Sequence, residues 1–263
     1  VYSAGNTRFV IERQFDYPVT PIRTDRLKTA DLGNYDVLIL PEGWGSYAEA
    51  LGEAGAGNLK RWVESGGVLI AVGSANRFVA DAGFDIAALR REDAAIEPDE
   101  DDKAPNKGGK GDDDEEISTV AGTLLESADD YEAAITPERE SPDSVGGVLV
   151  RANVDPDHWL GAGVAETINV LVRGPDIYAP VTRDMGTNVA RFAAADELLA
   201  SGYLWEENRK QLAFKPFAVV QDSGRGFVVS FTQDPNVRAY LDGLNVIFMN
   251  AIFRGSAHAR PVP

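Results

Sequence analysis

The chain has 263 residues, of which 44 % are apolar, and its 42 acidic and 25 basic residues give a net charge of −17. No stretch approaches the roughly 18 consecutive apolar residues of a membrane-spanning helix, and an acidic chain is a poor partner for nucleic acid, which needs clustered Lys and Arg. Cysteine is absent, which excludes disulfides, thiolate zinc sites and a cysteine nucleophile.

The first predicted elements are a helix and two strands. Residues 8–15 place their apolar side chains at spacings that allow one helical face, and residues 17–22 are typical of a short strand. Residues 36–40, with the sequence DVLIL, give a stronger signal. A continuous apolar run that ends at a proline and a glycine predicts a strand buried on both faces.

A second helix and strand follow directly. Residues 47–65 predict a helix that ends at Gly66 and Gly67, since glycine commonly terminates helices. Residues 68–72, VLIAV, predict another buried strand, and residues 76–81 begin a further helix. Alternation of helices with fully apolar strands indicates an α/β fold with a parallel sheet covered on both faces.

Residues 91–145 interrupt this alternation. Residues 92–116 hold twelve Asp or Glu and three Lys, and therefore carry −9 of the net charge. Such a composition is typical of a solvated, disordered loop, so we predict an acidic insertion that is mobile at residues 95–116. A short helix is predicted near residues 121–134.

The second half is rich in predicted strands and ends in a helix. The sequence DSGRG at residues 222–226 predicts a hairpin turn, and residues 241–253 predict the closing helix. No linker or internal repeat divides the chain, so residues 1–263 are read as one domain. The predicted strands are residues 146–154, 168–181, 215–223 and 226–232.

Several segments together resemble a known family. YDVLILPEG followed by GGVLIAVGSA resembles the class I glutamine amidotransferase-like superfamily, which includes PfpI-type proteases. Four further segments in order, GNTRFVIERQFDYPVT, LKRWVESGGVLIAVG, VDPDHWLGAG and GRGFVVSFTQDPNVRAYLDGLNVIFMNAIF, resemble the amidotransferase-like domain at the C-terminus of bacterial zinc carboxypeptidases of the carboxypeptidase A type.

The resemblance implies a flavodoxin-like fold, with a doubly wound, mostly parallel sheet and helices on both faces. It also implies a central first strand, which the sequence from Val1 onwards does not contain. A missing central strand would leave buried backbone groups of its neighbours unpaired. We therefore expect the native polypeptide to extend upstream of Val1, into a metallopeptidase domain.

The segment GGVLIAVGSANRF, which begins at Gly66, predicts a buried strand, a tight turn and a helix start, here called the elbow. In the catalytic relatives a cysteine nucleophile lies at this turn. Its position falls on Gly73 here, and the acidic partner of the PfpI-type proteases falls on about Ala4. Ser74 lies one place later, and is read as a turn and helix-capping residue or, alternatively, as a serine nucleophile.

The loop after the first apolar strand is a candidate pocket wall, because ligands of open α/β sheets bind at the carboxyl ends of strands. Its candidates are Glu42, Gly43 and Trp44. From the elbow, Gly73, Ser74, Asn76 and Arg77 could face them.

His158 is a further pocket candidate, in the segment DPDHWLG. With Asp155 and Asp157 it could suggest a metal site, but Asp-Pro-Asp is common turn chemistry and these neighbours supply few independent ligands. We predict no metal there. The remaining histidine, His258, is expected to be solvent-exposed.

Zinc carboxypeptidases bind their metal through a His-x-x-Glu pair and a distant His, and the chain contains no His-x-x-Glu. The expected function is therefore that of a non-catalytic accessory domain with a structural, oligomerisation or substrate-positioning role. We expect no cofactor in this chain and zinc only in an upstream peptidase domain. The alternative is a free-standing serine-dependent hydrolase or amidase that uses Ser74. Expected partners are that peptidase domain or a second copy of this domain, and the resemblance favours a secreted or periplasmic location.

Overall fold

A computed structural model describes residues 2–43, 45–95, 127 and 140–259. The helices of these residues are α1 (Tyr2–Phe9), α2 (Tyr47–Glu64), α3 (Asn76–Val79), α4 (Glu206–Leu212) and α5 (Asp242–His258). The strands are β1 (Val37–Leu40), β2 (Val68–Val72), β3 (Arg90–Arg91), β4 (Val145–Val154), β5 (Thr167–Gly174), β6 (Tyr178–Ala179), β7 (Thr187–Phe192), β8 (Leu199–Ser201), β9 (Pro216–Ser223) and β10 (Gly226–Phe231). Among these helices, none has the length and apolar character needed to cross a membrane.

The main sheet has the strand order β1-β2-β10-β9-β7-β4-β5, with β8 paired to β4. β1, β2 and β10 are parallel neighbours, whereas the remaining neighbours are antiparallel pairs. β1, β2, β5, β7, β8 and β10 consequently run in one direction, and only β4 and β9 of the described sheet oppose them. The predicted α/β fold class is confirmed.

Strands β1 and β2 and the helix α2 between them lie where the sequence predicts a strand, a helix and a strand. Helix α2 begins after Ser46, whose Oγ accepts a hydrogen bond from the Glu49 backbone N–H at 3.2 Å, the expected contact of an N-cap serine. The helix ends at a glycine, Gly66, with φ of 121°. This left-handed conformation suits glycine, which lacks Cβ.

The predicted hairpin and C-terminal helix are also confirmed. β9 and β10 pair antiparallel around Gly224, which has φ of 60°, and α5 extends slightly beyond the predicted residues. The helix predicted at residues 8–15 starts earlier, as α1, and continues through a π-helical turn at Val10–Gln14.

The predicted strand at residues 17–22 is wrong. This stretch has no strand partner among the described residues. Pro18 and Pro21 lack the N–H that a ladder requires, and β1 lies across an open groove from it. The predicted helix near residues 121–134 and the predicted mobility of residues 95–116 concern positions outside the described residues, apart from Ala95 and Ser127.

Strand β2 shows why the sheet is covered on both faces. Its side chains alternate between two apolar clusters, as the period of two along a strand requires. Val68, Ile70 and Val72 belong to a cluster with α5, and Leu69 and Ala71 belong to a cluster with α2. All five side chains are fully buried, which explains why the sequence of β2 is apolar throughout.

The sheet curls so that its two ends approach each other. β1 and β5 are the first and last strands in the spatial order, yet the Arg173 guanidinium at the end of β5 lies 3.1 Å from the Glu42 carboxylate just after β1. Helix α5 fills the interior of the curl and contacts β2, β5 and β10. This curvature places residues from distant parts of the chain around one cleft.

Candidate functional site

A cleft of about 260 Å³ lies at the carboxyl ends of β1, β2, β5 and β10. This is the edge at which open α/β sheets bind their ligands. We call it the charged cleft. It is lined by Glu42, Gly73, Ser74, Arg77, Arg173, Gly174, Pro175, Asp176, Thr232 and Gln233.

The elbow forms one wall of the charged cleft. β2 ends at Val72, and Gly73 turns the chain with φ of 54° into a 3₁₀ turn that leads to α3. A Cβ atom added at Gly73 would lie 2.7 Å from Glu42 Oε2, closer than Cβ atoms approach neighbouring heavy atoms in folded proteins. A side chain at this turn would therefore require the Glu42 carboxylate to move from its position beside Arg173.

Ser74 is bound to the backbone of the neighbouring loop. Its Oγ accepts a hydrogen bond from the Gly43 N–H at 3.3 Å and donates one to the Gly43 carbonyl at 3.2 Å. Activation of a serine requires a partner that accepts its proton, usually a histidine. A carbonyl oxygen does not take up that proton, so the observed contacts describe a serine that ties the elbow to the loop after β1.

Two ion pairs cross the charged cleft. One Arg173 nitrogen donates to both carboxylate oxygens of Glu42, at 3.1 and 3.2 Å. Arg77 Nε donates to Asp176 Oδ2 at 2.7 Å, and this hydrogen bond raises the pKa of the Arg77 guanidinium above its ordinary value. The cleft thus presents alternating positive and negative groups, an arrangement that suits ligands carrying both charges or many hydroxyl groups.

Asn76 fixes the elbow from beneath. Its side chain is fully buried, and its Nδ2 donates to the Gly73 carbonyl at 3.0 Å and to the Phe231 carbonyl at 2.7 Å. Because Phe231 is the last residue of β10, these bonds join the turn after β2 to the end of the neighbouring strand. The asparagine positions the elbow and is not available to a ligand.

A buried acid lies behind the charged cleft. Asp234 is 2 % exposed, and its Oδ1 accepts from the Asn236 N–H at 2.7 Å. Burial raises the pKa of Asp234 above its ordinary value, against the opposing effects of the Asn236 N–H and the Ser3 hydroxyl. Ser3 Oγ also accepts from the Glu42 N–H at 3.2 Å, so the start of α1 lies against this edge.

The structure brings most of the predicted pocket residues together. Glu42, Gly73, Ser74 and Arg77 line the charged cleft, and Gly43 is bonded to Ser74. Trp44 lies outside the described residues. The position expected for an acidic partner, Ala4, lies in α1 on the side of a different cavity.

His158 is not part of this cleft. Its Nδ1 accepts from the Leu160 N–H at 3.1 Å, and its ring contacts that of Trp159, which stacks on His258. Burial lowers the pKa of His158 below its ordinary value. Asp155 Oδ1 accepts from the Asp157 N–H at 3.0 Å, a bond typical of an Asx turn. Over residues 2–43, 45–95, 127 and 140–259, no three His, Asp or Glu side chains are grouped as metal ligands.

Sequence reasoning missed the far wall of the charged cleft. Arg173 and Asp176 follow the apolar residues of β5, and Thr232 and Gln233 follow β10. Polar residues directly after an apolar strand were the available signal. That signal could not show that β5 meets β1, since the meeting depends on the curl of the whole sheet.

Comparison with known proteins supports the architecture. No protein-family model matches the sequence, and no curated protein matches it. A ThuA-like protein from Parabacteroides merdae superposes with a TM-score of 0.55 at 12 % identity, over 100 % of this chain and 88 % of its own. The chain has a class I glutamine amidotransferase-like fold.

Two further solved structures agree with this fold. A ThuA-like protein from Bacteroides uniformis has a TM-score of 0.52 at 8 % identity, over 95 % of this chain and 81 % of its own. A GMP synthase component from Thermoplasma acidophilum has a TM-score of 0.50 at 12 % identity, over 94 % of this chain and 86 % of its own. Likeness at these identities concerns the amidotransferase-like fold, and function has to be argued from the site.

Proposed function

We propose that this chain is a non-catalytic amidotransferase-like accessory domain of a zinc carboxypeptidase-like protein. The observation that carries the proposal is the occupied elbow. Glu42 Oε2 lies 2.7 Å from the position that a Cβ at Gly73 would take, and Arg173 holds that carboxylate from the opposite wall. A turn that catalytic members of the resembling family use for covalent chemistry has here a glycine beside the Glu42–Arg173 ion pair.

The role that we propose for the charged cleft is to position a polar part of the peptidase substrate. Glu42 and Asp176 suit an ammonium group, and Arg77 and Arg173 suit a carboxylate. Both arginine side chains are about half exposed, 50 % for Arg77 and 46 % for Arg173. A ligand group can therefore reach them from solvent and exchange with their present partners.

The proposed partner is a peptidase domain of the same polypeptide, with a second copy of this domain as the other candidate, in a secreted or periplasmic protein. Zinc would be bound by that peptidase domain. The segments around Trp62, His158 and Phe227 resemble carboxypeptidase accessory domains. This resemblance supports the proposed partner and location. The coding sequence upstream of Val1 tests it directly, because a His-x-x-Glu motif is expected there.

Labelling with an alkylphosphonate tests the non-catalytic part of the proposal. The reagent reacts with activated serines, so we expect no adduct on the intact protein by mass spectrometry. The variant Ser74→Ala serves as the site control, and Ser46→Ala, which removes a helix cap away from the elbow, is the matched control. An adduct that disappears only in Ser74→Ala would establish the serine hydrolase instead.

A further inference from the structure

The charged cleft offers its positive and negative groups unequally to solvent. The acidic side chains are the more covered ones, with Asp176 11 % exposed and Glu42 27 % exposed. The arginine side chains that hold them, Arg77 and Arg173, are about half exposed. A ligand that arrives from solvent therefore finds the guanidinium groups more accessible than the carboxylates.

The carboxylate of Asp176 is compensated from two sides. Its Oδ2 accepts from Arg77 Nε at 2.7 Å. Its Oδ1 has almost no exposed surface and lies 3.5 Å from Arg91 Nη1. A ligand ammonium group could reach this carboxylate only by displacing a guanidinium that is already in place. Asp176 therefore acts as an anchor for arginine and is a poor receptor for a cation.

The carboxylate of Glu42 is engaged in a similar way. Both of its oxygens accept from Arg173 Nη2, at 3.1 and 3.2 Å. The elbow lies against the same carboxylate, because Gly73 leaves too little room even for a Cβ atom beside Oε2. The Arg173 guanidinium and the elbow together restrict the approach of a ligand cation to Glu42.

The two arginines keep donors that these acids do not use. An arginine side chain has five N–H donors in a planar fork. Arg77 uses Nε and Arg173 uses Nη2 for the ion pairs, and the described residues supply no further acceptor to either side chain. Gln233 adds one more donor group. Its Oε1 accepts from the Arg173 backbone N–H at 3.1 Å, which leaves its Nε2 for the cleft.

The arrangement of the anchors favours two anionic groups on one ligand. Arg77 follows the elbow and is held by an acid that follows β5, whereas Arg173 ends β5 and is held by an acid that follows β1. Drawing both arginines onto a single anion would take at least one of them off its acid. Each arginine can instead bind its own anionic group where it stands.

The size of the cleft limits the ligand. Its volume of about 260 Å³ equals that of about nine water molecules at roughly 30 Å³ each. Such a volume admits a molecule of about ten non-hydrogen atoms, which is one amino-acid residue and not a longer peptide.

We propose that the charged cleft binds the carboxyl-terminal residue of an acidic peptide, an Asp or Glu whose two carboxylates are bound by Arg77 and Arg173. This inference rests on the proposed function, in which the cleft positions part of a peptidase substrate, and it names the class of that substrate. An acidic residue at a carboxyl terminus carries two carboxylates within a few atoms, one on the backbone and one on the side chain. Each is bound by spare N–H donors of one arginine, which stays on its own acid.

Calorimetric titration of the 263-residue chain with three small probes tests the ligand class. N-acetyl-aspartate carries two carboxylates, N-acetyl-asparagine carries one, and N-acetyl-lysine carries one carboxylate and one ammonium group. The ionic strength is held constant with NaCl, because salt screens exposed charges. We expect N-acetyl-aspartate to bind at least about tenfold more tightly than either of the other probes.

Arginine variants locate the binding. In Arg77→Gln and in Arg173→Gln, N-acetyl-aspartate should bind at least about tenfold more weakly, and its advantage over N-acetyl-asparagine should disappear. Arg23→Gln is the matched control, because it also removes an arginine from an ion pair, at a side chain that is 82 % exposed and lies outside the cleft. Its affinity for N-acetyl-aspartate should equal that of the parent. The three probes decide the ligand class on the parent chain even where a variant does not fold.

Several results would overturn the proposal. Equal affinity for N-acetyl-asparagine would show that one anionic group is enough, and equal or tighter binding of N-acetyl-lysine would show that the acids receive a cation. Tighter binding of inorganic phosphate than of N-acetyl-aspartate would assign the cleft to phosphate. Absence of binding by every probe, or an advantage of N-acetyl-aspartate that persists in both arginine variants, would remove the cleft as the site.

These results are separate from those that test the accessory role. The titration uses the chain without a peptidase domain, so its failure concerns only the ligand class of the charged cleft. A phosphonate adduct on Ser74, or an upstream coding sequence without His-x-x-Glu, would overturn the proposed function and would leave the measured affinities unchanged.

Discussion

The charged cleft and a groove of about 850 Å³ along the outer side of β1, lined by residues 36–41 and 17–22 among others and called here the β1 groove, differ in how their polar groups are satisfied. In the cleft, Glu42 and Arg77 each have a charged partner across the opening. In the groove, apolar side chains such as Ile11 and Phe253 line the cavity together with polar ones such as Arg8, and the outer edge of β1 has no strand partner among the described residues. The polar groups of the cleft are paired by side chains from distant parts of the chain, whereas those at an open strand edge are left to water or to a further binding partner.

The largest effect should come from the interior strand beside the groove. Ile39 and Ile70 are register partners, but Ile70 is fully buried and Ile39 is partly exposed. We expect Ile70→Ala to lower the free energy of unfolding by about 3–4 kcal/mol and Ile39→Ala by about 1–2 kcal/mol, because the open groove lets water reach the second site. Urea unfolding measures both, and equal losses would show that the groove is closed in solution.

A methyl group at the elbow tests the cleft side of the comparison. Gly73→Ala forces an alanine to φ of 54° and against the Glu42 carboxylate, so we expect a loss of about 2–3 kcal/mol. Gly45→Ala is the control, since a Cβ there meets nothing within 4 Å. Adding Glu42→Ala to Gly73→Ala should recover the part due to the overlap. No destabilisation by Gly73→Ala would contradict the occupied elbow.

The smallest effect concerns pH and the buried acid behind the cleft. Burial raises the pKa of Asp234 above its ordinary value of 3.8. A raised folded pKa means that the contribution of Asp234 to stability is fully present below about pH 4 and is lost as pH rises through the folded pKa. The amide introduced by Asp234→Asn does not titrate. The free energy of unfolding of this variant, relative to that of the parent, should therefore increase as the pH rises from about 4 through the folded pKa of Asp234.

The size of this relative gain measures the shift of the Asp234 pKa between the unfolded and folded states, at about 1.4 kcal/mol per pKa unit. Urea unfolding of the parent and of Asp234→Asn between pH 4 and 8 gives the difference at each pH. A difference that stays constant across the series would show that the carboxyl group is not perturbed by burial.

The sequence predicted those parts of the molecule whose signal is local. Examples are the apolar runs of β1 and β2, the N-cap at Ser46 and the hairpin at Gly224. In each case the physical cause lies in the same few residues that form the element. Residues 17–22 failed because a strand needs a partner as well as a propensity. The remaining predictions on Trp44 and the acidic insertion stay predictions.

The charged cleft was predicted on one side only. Glu42, Gly73, Ser74 and Arg77 follow the two strands that the sequence identifies most clearly. Arg173 was missed because its contact with Glu42 spans 131 residues of sequence and depends on the curl of the sheet. The local sequence pattern does not show that the two ends of the sheet approach each other. The polar residues after β5 indicated only that ligand-binding side chains could lie at the end of that strand.

The position of β2 between β1 and β10 has a consequence for how the protein is made. β2 ends at Val72, and the strand that covers its second edge begins only at Gly226. At ribosomal rates of about 5–20 residues per second, the intervening chain takes on the order of ten seconds to synthesise. During that interval a fully apolar strand lacks one neighbour on the ribosome. An unpaired apolar strand edge is prone to aggregation, and the nascent chain carries this one until β10 has been synthesised.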